Sequence, residues 1–260
     1  MPAFIDQMGR TVLLKHSPRR IISLVPSQTE FLYDLGLRDE VVGVTKFCLH
    51  PELWYRSKTR VGGTKQYHFD RIAALKPDLI IGNKEENEKE QIETLMEQYP
   101  VWMSDIYGLE DAYEMMLKLG EIVSKDRQAQ SLVNQTRLGF SDFPEGKGLR
   151  VVYLIWHKPI MAAANHTFIQ EMLSQCGWIN ALATQTRYPQ LTLEVLQSLN
   201  PDLLLLSSEP FPFKEKHVNF YQELLPSTQV KLVDGEAFSW YGTRLLKTQP
   251  YLQDLMNELS

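Results

Sequence analysis

Two stretches share one pattern: Ile72-Ala-Ala-Leu-Lys-Pro-Asp-Leu-Ile-Ile and Leu196-Gln-Ser-Leu-Asn-Pro-Asp-Leu-Leu-Leu. In each, an apolar helical turn meets a Pro-Asp pair and then a run of large apolar residues. Pro77 and Pro201 stand 124 residues apart. A proline does not continue a helix, and the apolar run behind it reads as a strand buried on both faces. The surroundings repeat as well. Arg20-Ile-Ile-Ser-Leu-Val and Arg150-Val-Val-Tyr-Leu-Ile precede the two copies as strands. Helices from Glu88 to Tyr99 and from Lys214 to Leu225 follow them, then the strands Val101-Trp-Met and Val230-Lys-Leu-Val. Buried strands alternating with helices, met twice, predict an α/β fold of two Rossmann-like lobes with parallel sheets.

The stretch between the copies is helical. From Leu109 to Phe143 the chain lacks proline, and Leu109, Ala112, Tyr113, Met116, Leu119 and Val123 fall on one helix face. Ser124 reads as a cap, so a second helix is expected from about Lys125 to Ser141, roughly 25 Å long at 1.5 Å per residue. The expected division is an N-terminal lobe over 1–108, linking helices over 109–143 and a C-terminal lobe over 144–260, with the long helix as a strut. Elsewhere, Gly9 to Lys15 reads as a strand or hairpin arm. Pro26 opens a helix that stops at Gly36, Thr45 to Tyr67 is a long loop, Ala237 to Tyr241 an aromatic loop, and Leu245 to Leu259 a closing helix.

Composition excludes several classes. The 260 residues carry a net charge of −5 and no Lys/Arg run, which argues against nucleic acid as the main partner. No apolar run approaches the ~20 residues that span a bilayer. The first residues lack a basic region followed by an apolar one, so no signal peptide is read there. Two cysteines, Cys48 and Cys176, make no disulfide framework; one buried thiol in each lobe is expected.

In parallel α/β lobes ligands meet the carboxyl ends of the strands. Those ends offer Pro26 to Gln28, Thr45 to His50, Asn83 to Glu86 and Ser104-Asp105 in the first lobe. The second offers Trp156-His157, Ser207 to Phe213 and Gly235 to Tyr241. Aromatic and mixed polar groups suit an amphipathic organic ligand. No Gly-x-Gly-x-x-Gly, Walker A or Gly-x-Ser-x-Gly motif occurs, so a phosphate cradle and a nucleophile elbow are absent. Cys48 and His50 are a weak candidate pair of metal ligands. Glu85, Glu86, Glu88 and Glu90 make an acidic start to a helix, where negative charge is favoured. Glu209 follows Glu85 by the same 124 residues, and Glu215 stands a turn or two later.

The ordered set Gly9-Arg-Thr-Val, Arg20-Ile-Ile-Ser-Leu-Val-Pro-Ser-Gln-Thr-Glu, Val42-Gly-Val-Thr, Val61-Gly-Gly-Thr, Ala74-Leu-Lys-Pro-Asp-Leu-Ile-Ile and Leu199-Asn-Pro-Asp-Leu resembles the helical-backbone (class III) substrate-binding proteins of bacterial ABC importers. Their vitamin B12-binding and ferric-siderophore- or heme-binding branches are the nearest in kind. The resemblance implies two lobes joined by one long helix, a ligand cleft between the lobes with small closure, and a monomer that is not an enzyme. It implies a corrinoid, heme or ferric chelate as ligand, no catalytic cofactor, and an importer permease as partner. Matched by motif, the ligand-facing positions fall on Ser27, Phe47, Lys65, Asn83, Trp156, Tyr188, Glu236 and Trp240. Lys65 and Asn83 stand where the vitamin B12 branch carries aromatic residues, which favours a ligand with carboxylates or other acceptors. Permease docking through one glutamate per lobe falls on Glu88 or Glu90 with Glu215, or on Glu85 with Glu209. Trp240 has two readings: a core ring whose truncation costs stability, or, the favoured one, a ring that faces ligand and leaves melting of the free protein nearly unchanged on truncation.

Two compartments remain open: periplasm or cell surface if a signal was trimmed, cytoplasm if the chain is complete. A cytoplasmic metal- or tetrapyrrole-handling enzyme or chaperone on the same scaffold, perhaps using Cys48 and His50, is the alternative reading. A module whose cleft holds a protein segment is a further one.

Overall fold

The computed structural model describes residues 2–141, 143 and 146–259. The chain divides into two compact units. The first holds the residues up to Ile106, Glu110–Arg137 and Tyr241–Arg244; the second holds Tyr107–Leu109, Leu138–Trp240 and the chain from Leu245 onward.

The first unit begins with an antiparallel hairpin, β1 (Ala3–Ile5) and β2 (Thr11–Leu13). Next come β3 (Ile21–Ser23), α1 (Pro26–Asp34), β4 (Val41–Val44), α2 (Glu52–Ser57) and β5 (Thr59–Arg60). Then follow α3 (Phe69–Leu75), β6 (Leu79–Asn83), α4 (Lys89–Met96) and β7 (Val101–Ser104). The sheet order is β5-β4-β3-β6-β7, with every adjacent pair parallel. Ile21, Ile22, Leu79, Ile80 and Ile81 are fully buried, as strands covered on both faces require.

The helical stretch is α5 (Leu109–Ile122) and α6 (Asp126–Ser141). Ser124 is not the cap of α6: it takes a left-handed conformation at φ 57° in the link. The helix then starts at Asp126, whose negative charge suits that end.

The second unit continues with β8 (Arg150–Trp156), β9 (Ile160–Ala162), α7 (Phe168–Gln175), β10 (Ile179–Asn180), β11 (Gln190–Leu191) and α8 (Leu193–Leu199). It ends with β12 (Leu203–Ser207), α9 (Glu215–Leu224), β13 (Gln229–Val233), α10 (Gly235–Ser239), a 3₁₀ turn at Gly242–Arg244 that groups with the first unit, and α11 (Leu245–Glu258). Its sheet order is β11-β9-β8-β12-β13, with β10 parallel to the start of β8. β8, β12 and β13 are parallel to one another, while β9 pairs antiparallel with both β8 and β11. The mixed edge departs from a purely parallel sheet.

The repeated Pro-Asp pair has a physical cause. Each aspartate pins the start of the neighbouring strand. Asp78 accepts from the Arg19 and Arg20 N–H groups at 2.9 and 2.8 Å, and its own N–H donates to the Arg20 carbonyl at 3.0 Å. Asp202 accepts from the Arg150 N–H at 2.8 Å and donates to the Arg150 carbonyl at 2.8 Å. Lys76 and Asn200 end the preceding helices in left-handed conformations, φ 46° and 42°. The same bonds thus set the register of β3 against β6 and of β8 against β12.

Two expected loops contain regular structure. The stretch from Thr45 to Tyr67 folds α2 and β5, anchored by buried Trp54 edge-on to Tyr33 at 5.2 Å. The aromatic loop begins instead as α10. Asp234 caps that helix, accepting from the Glu236 N–H at 3.0 Å. Gly235 follows because a Cβ there would lie 2.5 Å from the Glu209 Cγ.

Candidate functional site

The carboxyl ends of the first unit's strands hold a buried polar cluster. Asn83 ends β6 and is itself buried: its amide donates to Ser104 Oγ at 3.0 Å, while its oxygen accepts from the Glu85 and Glu86 N–H groups at 2.8 and 3.1 Å. Gln28 donates to the same Ser104 hydroxyl at 2.5 Å, and Ser27 beside it is buried. The Tyr241 hydroxyl enters this cluster and donates to Glu86 at 3.4 Å. Burial, with the Glu86 charge behind it, holds Tyr241 well above the usual phenol range, against the smaller opposing pull of Ser27 and Ser104. The phenol is therefore a neutral donor. Phe47 and Lys65 are exposed on the segments after β4 and β5.

In the second unit Trp156 ends β8, is 38% exposed, and donates Nε1–H to the Lys158 carbonyl at 3.0 Å. Its ring meets Phe211 at 5.6 Å. Tyr188 is half-buried under the Arg187 guanidinium, 5.8 Å from its ring centroid. Glu236 is half-buried in the first turn of α10. Trp240 is only 7% exposed and donates Nε1–H to Glu209 Oε1 at 2.8 Å. Of the two sequence readings of Trp240, buried ring or ligand-facing ring, its low exposure favours the first in the free protein. Glu209 also accepts from the Ser239 hydroxyl at 3.0 Å. Burial foremost, then the charges of Glu236 and Asp234, raises the Glu209 pKa against these two donors.

Cys48 is buried between Thr29 and Thr45, with Oγ1–Sγ distances of 3.1 and 3.2 Å. Desolvation pushes its thiol up to about 11, so it is neutral at ordinary pH. His50 lies two residues on, half-buried before Pro51. Among the described residues no group of three or more His, Cys, Asp or Glu side chains is placed to hold a metal ion. Cys176 is likewise buried, its thiol pushed up to about 12.

Of the docking glutamates, Glu88, Glu90 and Glu215 are exposed at the starts of α4 and α9; Glu85 and Glu209 are half-buried.

The six histidines read as scattered along the sequence, but the structure brings two of them together beside these positions. His157 and His217 meet at 4.9 Å, their rings tilted by 57°, among Phe211, Phe213, Phe220 and Tyr221. His217 Nδ1 accepts from the Lys214 N–H at 2.9 Å, closing the start of α9, and His157 Nδ1 meets the Tyr221 hydroxyl at 3.0 Å. The two histidines are 60 positions apart in sequence, so no spacing rule finds the pair. Burial lowers both pKa values below the ordinary 6.5. For His157, His217, Lys158 and Lys216 add to this; for His217, Lys216 adds more than Lys214. The unfolded chain therefore takes up these protons first. Stability is full above about pH 6.5 and falls as pH drops through the lower folded values. Glu209, with its raised pKa, acts with the opposite sign, so the comparison must be differential. Combining His157→Phe with His217→Asn is expected to flatten unfolding free energy against pH between about 7 and 5 relative to the parent. Parallel curves for parent and variant would remove the histidines from the acid limb.

No helix among the described residues is long and apolar enough to cross a membrane. The sequence matches the family described as Periplasmic binding protein over residues 21–233. It is 29% identical to the uncharacterized ABC transporter substrate-binding lipoprotein YvrC of Bacillus subtilis (strain 168), over 77% of this chain and 67% of that one. It is 27% identical to the vitamin B12-binding protein of Yersinia pestis (strain Pestoides F), over 72% of this chain and 69% of the relative. The crystal structure of the periplasmic vitamin B12-binding protein BtuF of Vibrio cholerae has the same fold, with a TM-score of 0.76 at 22% identity, covering 94% of this chain and 98% of the other. With a family match across most of its length, two α/β units and parallel central strands, this chain belongs to the periplasmic binding protein family.

Proposed function

We propose that this protein binds a metal-bearing macrocycle or chelate (a corrinoid, heme or ferric siderophore) and delivers it to an ABC importer without altering it. The observation that carries this reading is the family match across residues 21–233, joined to similarity with a vitamin B12-binding protein and an ABC transporter substrate-binding lipoprotein. The carboxyl ends of the strands supply the chemistry. Phe47, Trp156 and Tyr188 offer rings, and Lys65 and Glu236 offer charges; Ser27, Asn83 and Trp240 brace the strand ends from within. On this reading the protein works outside the cytoplasmic membrane as a monomer. Exposed Glu88 or Glu90 in one unit and Glu215 in the other are the favoured docking charges, since Glu85 and Glu209 are half-buried.

The test uses colour. Purified protein titrated with cobalamin, hemin and ferric siderophores is expected to shift an absorption band and raise melting with one of them. Flat spectra and unchanged melting with all three classes overturn the reading. Turnover of the ligand without a lasting complex would favour the enzyme alternative.

A further inference from the structure

We infer that the ligand carries carboxylates or comparable anionic arms, and that Lys46, beside the exposed ring of Phe47, and Lys65, on the turn tied to that segment, are the side chains that recognise them. The inference rests on the binding-protein reading and narrows it to a charge class.

The corner is built within the first unit. Lys46 and Phe47 follow β4, and Lys65 lies on the turn after β5. The two segments are tied together: the Lys46 N–H donates to the Gly62 carbonyl at 2.8 Å, and Gly62 bridges Tyr67. Gly62 is at φ 125°, and a Cβ there would stand 2.3 Å from the Gln66 carbonyl oxygen, so only glycine makes this turn. The backbone at Gly63 supports the Phe47 ring; the position of its missing Cβ is 3.3 Å from Phe47 Cε2 and 3.4 Å from Lys46 Cε. Two side chains from the far side fix the turn itself. Asn87 Nδ2 donates to the Thr64 carbonyl at 3.2 Å, and Gln91 Nε2 to the Lys65 carbonyl at 2.7 Å. Gln91 Oε1 accepts from the Tyr67 N–H at 2.8 Å, and the Tyr67 hydroxyl donates to the Thr64 carbonyl at 2.7 Å. The backbone under Lys65 is thus set before any ligand arrives, which cuts the ordering cost of binding.

Charge points the same way. Lys46 Nζ stands 5.0 Å from the Phe47 ring centroid, and both lysines are exposed. Among the described residues neither ammonium has a carboxylate within ion-pair distance, whereas Lys84 in the same unit is bound to Asp105 at 2.6 Å. The acids that act on Tyr67 are Glu86 and Glu88, and Glu86 already accepts the Tyr241 hydroxyl. Lys46 thus leaves its ammonium unneutralised beside a half-exposed ring, 49% accessible, and Lys65 leaves another on the adjoining turn. A flat ring with anionic edge groups meets both demands: its face covers Phe47 and its anions take the ammonium donors.

The experiment pairs hemin with hemin dimethyl ester, which shares the ring and iron but has its two carboxylates masked. Cobalamin and a neutral ferric trihydroxamate are run alongside. The parent is expected to bind hemin about tenfold or more tighter than the ester, the scale of one charge-assisted hydrogen bond. The combined Lys46→Gln and Lys65→Gln variant should bind the two alike, with parental melting because both side chains are exposed. Lys65→Arg should keep the preference. Equal binding of hemin and ester by the parent, or a preference that survives the double substitution, overturns the inference and leaves the binding-protein reading intact. So does binding of cobalamin or the trihydroxamate without hemin. Failure to bind any of the four overturns both.

Discussion

Glu30→Ala is expected to destabilise the protein by about 3–5 kcal/mol, the scale for removing one partner of a buried ion pair. Glu30 lies in α1 and Arg244 in the 3₁₀ turn that follows α10. Arg244 Nε–H donates to Glu30 Oε2 at 2.8 Å, and the side chains are 11% and 7% exposed respectively. The Thr243 hydroxyl donates to Asp34 on the same helix, and Gly242 packs over Phe31. These contacts group Tyr241–Arg244 with the first unit although the chain reaches it from the second. Alanine at 30 leaves a guanidinium with little access to water. Leucine at 30 with methionine at 244 removes both charges and should recover most of the loss, because a buried pair gains little over well-packed apolar groups. Denaturant unfolding of the two variants separates these cases. A Glu30→Ala loss below about 1 kcal/mol would put the pair in the range of an exposed salt bridge and sink the argument.

That pair also marks where sequence reading stops. Glu30 and Arg244 are 214 positions apart, and neither sits in a pattern that names the other. The parallel strands were legible because their signal is local: an apolar run behind a Pro-Asp pair is buried and bounded whatever surrounds it. Asp78 and Asp202 then proved to hold the neighbouring strand starts, so the echo reported a hydrogen-bonding device. The short edge strands β9 to β11, of two or three residues, have no period to detect and exist through their partners. Capping was misread at Ser124 and not read at Thr167 or Thr192. Thr167 and Thr192 accept from the N–H groups of Gln170 and Val195 as their residue type predicts, but Ser124 resembles them in sequence and does not cap. The candidate site was legible as a set of strand ends. Which side chains turn inward was not, because Asn83, Tyr241 and Trp240 are buried by partners remote in sequence.

Trp240 shows what that difference does to an expected experiment. With the ring 7% exposed, Trp240→Ala is expected to lower stability by about 3–5 kcal/mol, as removal of a large buried aromatic does. Trp240→Phe keeps most of the ring volume and loses the Nε1–H bond to Glu209, so its loss should be about 1–3 kcal/mol. The smaller variant carries a pH signature. The folded pKa of Glu209 is raised by burial, so its contribution is present below the unfolded value near 4.5 and is lost as pH rises through the higher folded value. The Trp240 N–H opposes that rise by favouring the carboxylate. Without it the folded pKa moves further up, and the parent-minus-Phe gap should widen from acid to neutral pH. Melting at about pH 4.5 and pH 8 tests this, with ligand titration of the same proteins. Equal gaps at both pH values would show that the indole nitrogen does not tune Glu209. Full parental melting for Trp240→Ala with weakened ligand binding would restore the ligand-facing reading.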